Sequence, residues 1–575
     1  MKTYSRAKTF ALSLIFVAML IGLIGRIFYL MVIDCEHYIA MADDLHQRER
    51  SIKAARGRIL DRNGVVLADN KTVCTVSVIH SQVKDPERVI SVLCEELGKD
   101  EAKVRKSVEK VSSMERIASN VDKETGDRIR AYKLDGVKVD EDYKRYYVYG
   151  DLASKVLGFT GADNQGILGL EVKYEEYLKG VNGQILTMAD ANGVELDSES
   201  EQRKEPVSGN DLWISIDYNI QEYATQLANQ TLKTKEAKSV SIIVMDPNNG
   251  EIFAMVNAPE YDLNNPFEIE CDSSISEKEK QDMLNQMWRN TCINDTYEPG
   301  SIFKTVTASI GLETKILSLD LTYHCPGYKI VEDRRIRCAR TTGHGSQTFT
   351  QTVMNSCNPA FIEWGLRIGT DRFYDNMQAF GMFEKTGIDI SGEAGTIMHK
   401  KENIGTVELA TISFGQSFQI TPIKMMQTVA MIVNGGNLVT PHFGVKVTKD
   451  SYEERLNYKT VAGVISDDTS RTMQGILEEV VAHGGGSRAY IEGYSIGGKT
   501  ATSEKLPRGN GKYIAAFIGF APADNPQVIA MCIIDEPVGV YYGGTIAAPV
   551  VKELFENILP YLGIEPSAEE SQNGQ

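Results

Sequence analysis

The longest uninterrupted run of apolar residues lies near the N-terminus. Residues 9–25 (TFALSLIFVAMLIGLIG) carry no charge, and the apolar pattern continues past Arg26 to Ile33. A run of this length can cross a bilayer once as a helix. A cleaved signal peptide is the alternative, but no A-x-A-like cleavage site ends the run, and its length favours an uncleaved anchor. The sequence therefore predicts a transmembrane helix over 9–33.

Charge is distributed unevenly about this run. Three basic residues precede it and two acidic residues follow it: Lys2, Arg6 and Lys8, then Asp34 and Glu36. Basic residues beside a span mark its cytoplasmic side. We therefore expect a cytoplasmic tail over 1–8, a single pass through the plasma membrane, and the rest of the chain outside.

Strand-like runs occur in two groups far apart in the chain. Two lie before residue 260 and three lie near the C-terminus: 239–245, 251–256, 494–502, 514–520 and 528–534. A largely helical stretch beginning near Ser301 separates the groups, and an amphipathic helix over 547–559 closes the chain. This order predicts an α+β domain with one antiparallel sheet of five strands, flanked by helices and interrupted by a helical insertion.

The part that follows the membrane span has a mixed pattern. Asp61-Arg62-Asn63-Gly64 separates two short strand-like runs and predicts a hairpin turn, and residues 83–135 have the spacing of small helices. The polar segment SESEQRKEP, residues 198–206, is the expected joint between domains. The predicted domains are therefore 34–205 and 206–563, followed by a disordered tail over 564–575.

The chain of 575 residues has a net charge of −17 and a pI near 5.1. Nucleic-acid binding depends on Lys and Arg neutralising phosphates. The acidic balance, with no large basic patch, argues against a nucleic-acid partner.

Cys325 and Cys338 flank a polar loop, and a disulfide could close it. His324 and His344 lie in the same region, but no C-x-x-C or H-x-x-x-H spacing supports zinc. A disulfide or free thiols are therefore favoured, and no metal site is predicted. Five further cysteines lie in apolar or small-residue contexts typical of buried thiols: Cys74, Cys94, Cys292, Cys357 and Cys532.

Ser301 and Lys304 form an S-x-x-K pattern directly after Glu298-Pro299-Gly300. The Pro-Gly pair predicts a helix start, which places the hydroxyl and the amine one turn apart on one face. A desolvated lysine with a lowered pKa can activate a serine for acyl transfer. The same pattern at Ser5 and Ser107 lies in charged contexts without such a helix start.

Two later motifs could complete the chemistry. Ser356-Cys357-Asn358 offers a hydroxyl for proton relay and an amide for a substrate carbonyl. Lys499-Thr500-Ala501-Thr502 begins a predicted strand whose edge N–H groups could stabilise an oxyanion. The string Lys385-Thr386-Gly387 competes with it, but lies in a Gly-rich loop.

The order S-x-x-K, S-x-N, K-T-x is the motif set of penicillin-binding proteins and class A β-lactamases. Almost the whole chain after the span resembles the class B penicillin-binding proteins, which are monofunctional peptidoglycan D,D-transpeptidases. The matching segments include RGRILDRNG, GLEVKYEEYLKG, YEPGSIFK, SFGQSFQITP, GGKTATSEK and FIGFAPADNP, in family order. The resemblance implies that 34–205 is a pedestal or dimerisation-like domain and 206–563 the transpeptidase domain.

The resemblance also implies a role for each motif residue. Ser301 would be the acylated nucleophile, Lys304 its base, Ser356 the proton relay and Asn358 the group that holds the donor peptide. Lys499 and Thr500 would bind the terminal carboxylate of the peptide. Backbone N–H groups of Ser301 and Thr502 would form the oxyanion hole, with Ala501 between Thr500 and Thr502 where the family usually has glycine. That alanine puts the shape of the strand in doubt and is expected to slow acylation.

The implied partners are peptidoglycan stem peptides, β-lactam antibiotics, the membrane, a glycosyltransferase and other septal cell-wall proteins, and no cofactor is implied. SCNPAF and GKTATSEK look most like the branch that serves division or spore-envelope synthesis. A β-lactam sensor and a β-lactamase are disfavoured, the first because eight residues before the span leave no room for a signalling part, the second because of the large preceding domain. A catalytically weakened scaffold homologue is the remaining alternative, and Ala501 is its only support.

Overall fold

The computed structural model describes residues 6–35, 47–112, 114–188, 202–269 and 275–566. The chain divides into two compact units: the first comprises 1–55, 70–144 and 180–208, and the second comprises 56–69, 145–179 and 209–575. Segments 56–69 and 145–179, which the sequence assigned to a continuous N-terminal domain, thus belong to the second unit. The boundaries 34–205 and 206–563 stay a prediction.

The N-terminal apolar run is helical. An α-helix spans Arg6–Phe28 and continues as a π-helical turn over Tyr29–Ile33. It is the one helix in the described ranges that is long and apolar enough to cross a membrane. Its side chains are largely exposed to the surroundings, as expected of a helix that faces lipid. Residues 1–5 of the predicted tail lie outside the described residues.

The first unit has its own small core. Side chains from helices and strands around Val76, Ile90, Leu93, Val104 and Ile129 pack together there. Its helices are Pro86–Leu97, Glu101–Val108 and Lys123–Ala131, with a 3-10 turn at His80–Gln82. Its strands are Gln47–Ile52, Glu115–Asp122, Gly183–Met188 and Gln202–Lys204, and it shares Val66–Val78 and Val137–Tyr147 with the second unit.

The polar joint predicted over 198–206 is partly a strand. Gln202–Lys204 pairs antiparallel with Gly183–Met188, which in turn pairs with Gln47–Ile52. Backbone pairing needs no apolar side chains, so a charged sequence can form an edge strand. Residues 198–201 lie outside the described part of the chain.

The second unit is built around the predicted sheet of five antiparallel strands. Its spatial order is Ile252–Ala258, Ser239–Met245, Val528–Asp535, Tyr513–Ala521 and Gly497–Glu504. The central strands are buried almost throughout. Helices Tyr218–Thr234 and Ala548–Tyr561 cover one face with an apolar cluster, and the larger cluster on the other face includes the central helices. Gly497–Glu504 is an edge strand, hereafter "the edge strand".

The other elements of the second unit are mostly short helices and strands, the longest being the helix Asp467–Ala482. The remaining helices are Ser154–Leu157, Gly169–Lys173, Glu175–Leu178, Glu277–Trp288, Thr291–Asn294, Lys304–Glu313, Phe349–Met354, Asn358–Ile368, Thr370–Ala379, Thr406–Ile412, Pro422–Val433, Asp467–Ala482 and Gly543–Ile546. Single 3-10 turns are Gly300–Phe303, Lys401–Asn403 and Ser487–Ala489. The remaining strands are Ile59–Leu60, Asp211–Ile214, Thr322–Cys325, Tyr328–Val331, Arg334–Arg337, Gly345–Thr348, Leu438–Val439, Gly444–Lys449, Tyr452–Arg455 and Thr460–Val461.

A buried ion cluster joins the segments 56–69 and 145–179 of the second unit. Glu171 receives Arg56 Nε on Oε2 and Arg145 Nε on Oε1, both at 2.6 Å. All three side chains are almost fully buried. Charges can be buried at this depth only when paired, so the cluster fixes the RGRILDRNG segment to residues beyond 140.

At the C-terminus, Ile564, the first residue of the predicted tail, is buried, and residues 567–575 of that tail lie outside the described residues.

Candidate active site

Ser301 lies at the start of a helix, as predicted, but in a tighter turn than an α-helix. The 3-10 turn Gly300–Phe303 runs directly into the α-helix Lys304–Glu313. Gly300 has φ +54°, and a Cβ there would lie 2.5 Å from Ser503 Oγ on the edge strand. Glycine is needed because both the conformation and the space exclude a side chain. Ser503 Oγ also donates to the carbonyl of Glu298 at 2.9 Å, and this hydrogen bond holds the start of the turn against the edge strand.

Lys304 is fully buried and hydrogen-bonded to the S-x-N motif. Its Nζ donates to Ser356 O at 2.7 Å, to Ser356 Oγ at 3.1 Å and to Asn358 Oδ1 at 2.6 Å. Burial lowers the pKa of Lys304 to about 8, because desolvation disfavours the charged amine. A pKa near 8 leaves about a tenth of the amine neutral at pH 7, far more than an ordinary lysine with a pKa of about 10.4, and the neutral amine is the form that a general base requires.

The S-x-N motif forms the turn between helices Phe349–Met354 and Asn358–Ile368. Ser356 has φ +50°, a left-handed conformation uncommon for a residue with a side chain. Such conformations persist where the surroundings hold them in place, and here Lys304 binds both oxygens of Ser356. Asn358 Nδ2 donates to Arg337 O at 3.3 Å, which fixes the orientation of the amide.

Lys499 approaches Ser356 from the edge strand. Its Nζ donates to Ser356 Oγ at 3.2 Å and to Thr500 O at 3.2 Å. Burial, together with the positive charge of Lys304, lowers the pKa of Lys499 well below its usual range. The competing Lys385 is exposed in a loop and is not among the residues around the cavity described next.

A cavity of about 470 Å³ opens beside these groups. Its wall contains Ser301, Ser356, Asn358 and the edge-strand residues Thr500, Ala501 and Thr502. Lys304 and Lys499 do not line the cavity but are hydrogen-bonded to Ser356, which does. Thr502 Oγ1 accepts a hydrogen bond from Gly543 N at 3.0 Å. The structure thus brings together every residue that the sequence selected, although no hydrogen bond to the Ser301 hydroxyl is found in the described part of the chain.

Several residues of the cavity wall were not predicted from the sequence. They include Phe414, Gln416, Arg488 and Tyr542. Phe414 and Gln416 lie in SFGQSFQITP, a segment whose resemblance to the family was the available signal. Arg488 lies in the 3-10 turn Ser487–Ala489 and Tyr542 directly before the helix Gly543–Ile546, and neither belongs to a distinguishing sequence pattern.

Ala501 fits the edge strand without an evident clash. Its side chain is 4% exposed, and even an added Cβ on Gly300 would lie 3.6 Å from Ala501 Cβ, an ordinary van der Waals distance. The expected steric penalty at this position is therefore small on the side that faces Gly300.

The other two S-x-x-K patterns lie elsewhere. Ser107 is half-buried on the helix Glu101–Val108 of the first unit, and Ser5 lies outside the described residues. Cys325 and Cys338 are free thiols, as are the other cysteines in the described ranges. Of the two alternatives that the sequence left open for this pair, a disulfide or free thiols, the structure has free thiols.

Comparison with known families accounts for both main parts of the chain. Residues 240–556 match the family model "Penicillin binding protein transpeptidase domain", and residues 51–214 match "Penicillin-binding Protein dimerisation domain". The first match covers more than half of the chain and contains Ser301, Ser356 and Lys499. The chain belongs to the class B penicillin-binding proteins.

Individual relatives agree with this family. The class B protein is 37% identical to "Stage V sporulation protein D" of Bacillus subtilis (strain 168), over 94% of this chain and 83% of that protein. It is 28% identical to "Peptidoglycan D,D-transpeptidase FtsI" of Escherichia coli (strain K12), over 95% of this chain and 90% of that protein. Penicillin binding protein 3 of Mycobacterium tuberculosis, solved as a complex with ampicillin, has the same fold: TM-score 0.68, 22% identity, 91% of this chain and 98% of the other.

Proposed function

We propose that this class B penicillin-binding protein is a serine-type D,D-transpeptidase that cross-links peptidoglycan stem peptides through an acyl-enzyme on Ser301. The observation that carries the proposal is the hydrogen-bonded group of Lys304, Ser356, Asn358 and Lys499 at the cavity that Ser301, Ser356 and Asn358 line. Acyl transfer needs a nucleophile, a base and a proton relay within hydrogen-bond reach of one another.

The first half of the reaction forms the acyl-enzyme. Ser301 Oγ bonds to the carbonyl carbon of the penultimate D-alanine while its proton passes to neutral Lys304. The C–N bond to the terminal D-alanine then breaks, and Ser356 relays a proton to the leaving amine. N–H groups of Ser301 and Thr502 stabilise the oxyanion; Thr502 belongs to the edge strand, where alternate N–H groups are not used by the sheet.

Other residues at the cavity bind the substrate. Asn358 holds the donor peptide, and Thr500 receives its terminal carboxylate with Lys499 behind it. An arriving negative charge favours the protonated form of Lys499, which offsets the effect of Lys304. The amine of a neighbouring stem peptide then attacks the ester carbonyl, releases Ser301 and forms the cross-link. β-Lactams acylate the same hydroxyl when their ring amide opens.

The names of the relatives favour a role in septal or spore-envelope synthesis. We further propose that the N-terminal helix anchors the protein in the plasma membrane, with the catalytic part outside and a septal glycosyltransferase as its partner. The same geometry at the site would serve either process.

Intact-mass spectrometry after incubation with penicillin tests the nucleophile. We expect one adduct on the wild-type chain and none on Ser301→Ala. Lys499→Ala should also lose the adduct, whereas Lys385→Ala, its matched control in the exposed loop, should keep it. An undiminished adduct on Ser301→Ala would exclude Ser301, and a wild type that never reacts would favour the scaffold alternative.

A further inference from the structure

Four metal-binding side chains converge next to the S-x-N motif. They are Cys325, Cys338, His344 and Cys357, and one donor atom of each lies within 4.8 Å of all the others. The three sulfurs are buried and His344 is half-buried. We refer to these four residues as the Cys3His cluster. No part of the proposed acyl transfer uses them.

The spacing of the donor atoms suits a tetrahedral metal ion. Cys338 Sγ lies 3.6 Å from His344 Nδ1. A zinc ion with Zn–S near 2.3 Å and Zn–N near 2.0–2.1 Å holds its sulfur and nitrogen ligands about 3.6 Å apart at a tetrahedral angle. A disulfide needs only two of the sulfurs and leaves the histidine unexplained.

Each ligand comes from a different short element. Cys325 ends the strand Thr322–Cys325, and His344 precedes the strand Gly345–Thr348 that pairs with it. Cys338 follows the strand Arg334–Arg337, and its N–H donates to Gly327 O at 2.8 Å. Cys357 is the residue before the helix Asn358–Ile368. These small hairpins expose most of their side chains, so a shared metal would supply the cross-link that a small core cannot.

Contacts link the cluster to the wall of the active-site cavity. Cys357 stands between Ser356 and Asn358, the two residues that Lys304 binds. Arg337 and Ala339 are the chain neighbours of Cys338. Asn358 donates a hydrogen bond to Arg337 O, and Ala339 lines the cavity. An ion bound to Cys338 and Cys357 would hold both sides of this wall together.

We propose that the Cys3His cluster is a structural zinc site that fixes the Ser356–Asn358 turn in position. Three thiolates and one imidazole at tetrahedral spacing match zinc, and four protein ligands leave no open position for catalysis by the metal. The cluster acts on the reaction by positioning Ser356 and Asn358. Only its effect on acylation rests on the proposed function; zinc binding stands independently of it.

The sequence alone did not reveal this site for two reasons. The spacing C-x12-C-x5-H-x12-C matches no common zinc motif, because the ligands come from paired hairpins and a helix start. The four residues considered for zinc from the sequence also differ from the cluster in one member: His324, whose Nδ1 lies 3.2 Å from Ser346 Oγ, is not part of it, and Cys357 takes the fourth place.

Metal content measured on the full chain in detergent tests the proposal. After purification with reductant and dialysis against metal-free buffer, elemental analysis should find about one zinc per chain. Cys325→Ser and Cys357→Ser should each lower this several-fold, while Cys292→Ser, an equally buried cysteine outside the cluster, should keep it. Zinc retained by both cluster variants, or a wild type that binds none when supplied with zinc, would overturn the site.

Cobalt provides a second measurement that does not depend on the folding of variants. Wild-type chain stripped of metal and loaded with Co²⁺ should show the intense absorption of tetrahedral cobalt with thiolate ligands; a weak octahedral spectrum would contradict the ligand set. Thiol counting by alkylation should find the cluster cysteines protected by metal and free after chelation. A disulfide among them in the metal-bound preparation would also contradict the proposal.

The positioning role has its own measurement. Removing the metal should lower the melting temperature and slow penicillin acylation at least several-fold, and added zinc should restore both. Acylation and melting that do not change on chelation would refute the positioning role. A chain that binds zinc but is never acylated would instead refute the proposed function and leave the zinc site standing.

Discussion

At the scale of single residues, burial determines what Lys304 can do. Its pKa is lowered to about 8 because the ammonium is desolvated. If neutral Lys304 is the base, the rate constant for penicillin acylation should rise with pH and level off above about 8. Below that pH it should fall about tenfold per unit, in proportion to the neutral fraction. Stopped-flow measurement between about pH 6 and pH 9.5 checks this profile.

The control for that profile is the melting temperature over the same pH range, which separates titration from unfolding. A flat acylation profile, or one that falls as pH rises from 6 to 8, would exclude Lys304 as the base. Because Lys499 contacts the same Ser356 hydroxyl, the apparent pKa belongs to the pair of lysines.

Ala501 offers a second prediction at this scale. Its methyl is buried on the edge strand, yet the contact with Gly300 is ordinary. Ala501→Gly should therefore raise the acylation rate constant only modestly, by less than about tenfold: with an ordinary contact we expect the methyl to cost no more than the lower end of the roughly 1–3 kcal/mol typical of overpacking, and about 1.4 kcal/mol corresponds to tenfold. It should also lower stability by about 0.5–1 kcal/mol, because glycine in a strand loses more conformational entropy on folding.

Stopped-flow acylation and thermal melting of the wild type and of Ala501→Gly measure the two effects. A glycine variant that reacts more slowly would show that the strand is built around the methyl. A rise far beyond tenfold from an almost silent wild type would favour the weakened-scaffold alternative.

Individual site residues differed in how far the sequence could place them. Ser301 and Lys304 follow from local spacing, because a helix start fixes residues one turn apart. The hydrogen-bond partners of Lys304 do not follow from local spacing, because its nitrogen binds Ser356 and Asn358, more than fifty residues away. The role of Cys357 was missed for the same reason, since its neighbours Cys338 and His344 are brought to it only by tertiary structure.

At the scale of elements, the edge strand depends on close backbone packing. A Cβ on Gly543 would overlap the carbonyl oxygens of Ala501 and Ala516, and Gly543 N donates to Thr502 Oγ1. Gly543→Ala should push the helix Gly543–Ile546 away from the strand, destabilise the protein by about 1–3 kcal/mol and slow acylation. Thermal melting and adduct formation with penicillin measure both effects.

Gly475 provides the matched control for that substitution. It is exposed inside the helix Asp467–Ala482, and a Cβ there would meet no atom within 4 Å. Gly475→Ala should stabilise the protein by about 0.5–1 kcal/mol through helix propensity and leave acylation unchanged. A Gly543→Ala variant that melts at or above the wild-type temperature would contradict the view that Gly543 is needed for close packing against the edge strand.

Four strands of the main sheet were predictable because they are largely apolar runs flanked by turn residues, whereas the edge strand, GGKTATSE, is mostly polar and was indicated by its two glycines and the K-T-x motif. The strand Glu115–Asp122 was missed in a region predicted to be helical, since only Ile117 and Ala118 among its residues are buried and its pairing with Val66–Val78 is long-range. The segment GLEVKYEEYLKG, which ends at Gly180, has the spacing of one amphipathic helix but forms two short helices, Gly169–Lys173 and Glu175–Leu178. Periodicity gives the buried face but not the break between them.

At the scale of the whole molecule, the interleaving of the two units could not be foreseen. Arg56 and Arg145 belong to the second unit together with Glu171, although a linear reading places all three in one continuous N-terminal domain. Charged residues normally indicate surface, so a buried ion cluster formed across more than a hundred residues leaves no trace in the local pattern.

Membrane orientation is the prediction that belongs to the whole chain. The helix Arg6–Phe28 and the turn that follows it can span the bilayer, but a helix of this length is compatible with either direction. The flanking charges determine the orientation, because basic residues resist translocation: three precede the span and two acidic residues follow it.

Protease added to intact protoplasts should therefore digest nearly the whole chain while a tag at the N-terminus survives. A cytoplasmic marker protein must stay intact in the same sample, and detergent must expose the tag. Replacing Lys2, Arg6 and Lys8 with glutamate should weaken the orientation and protect a fraction of the chain. Protection of the bulk of the wild-type chain would place the cavity in the cytoplasm, where no peptidoglycan is cross-linked, and would contradict the topology and the proposed substrate together.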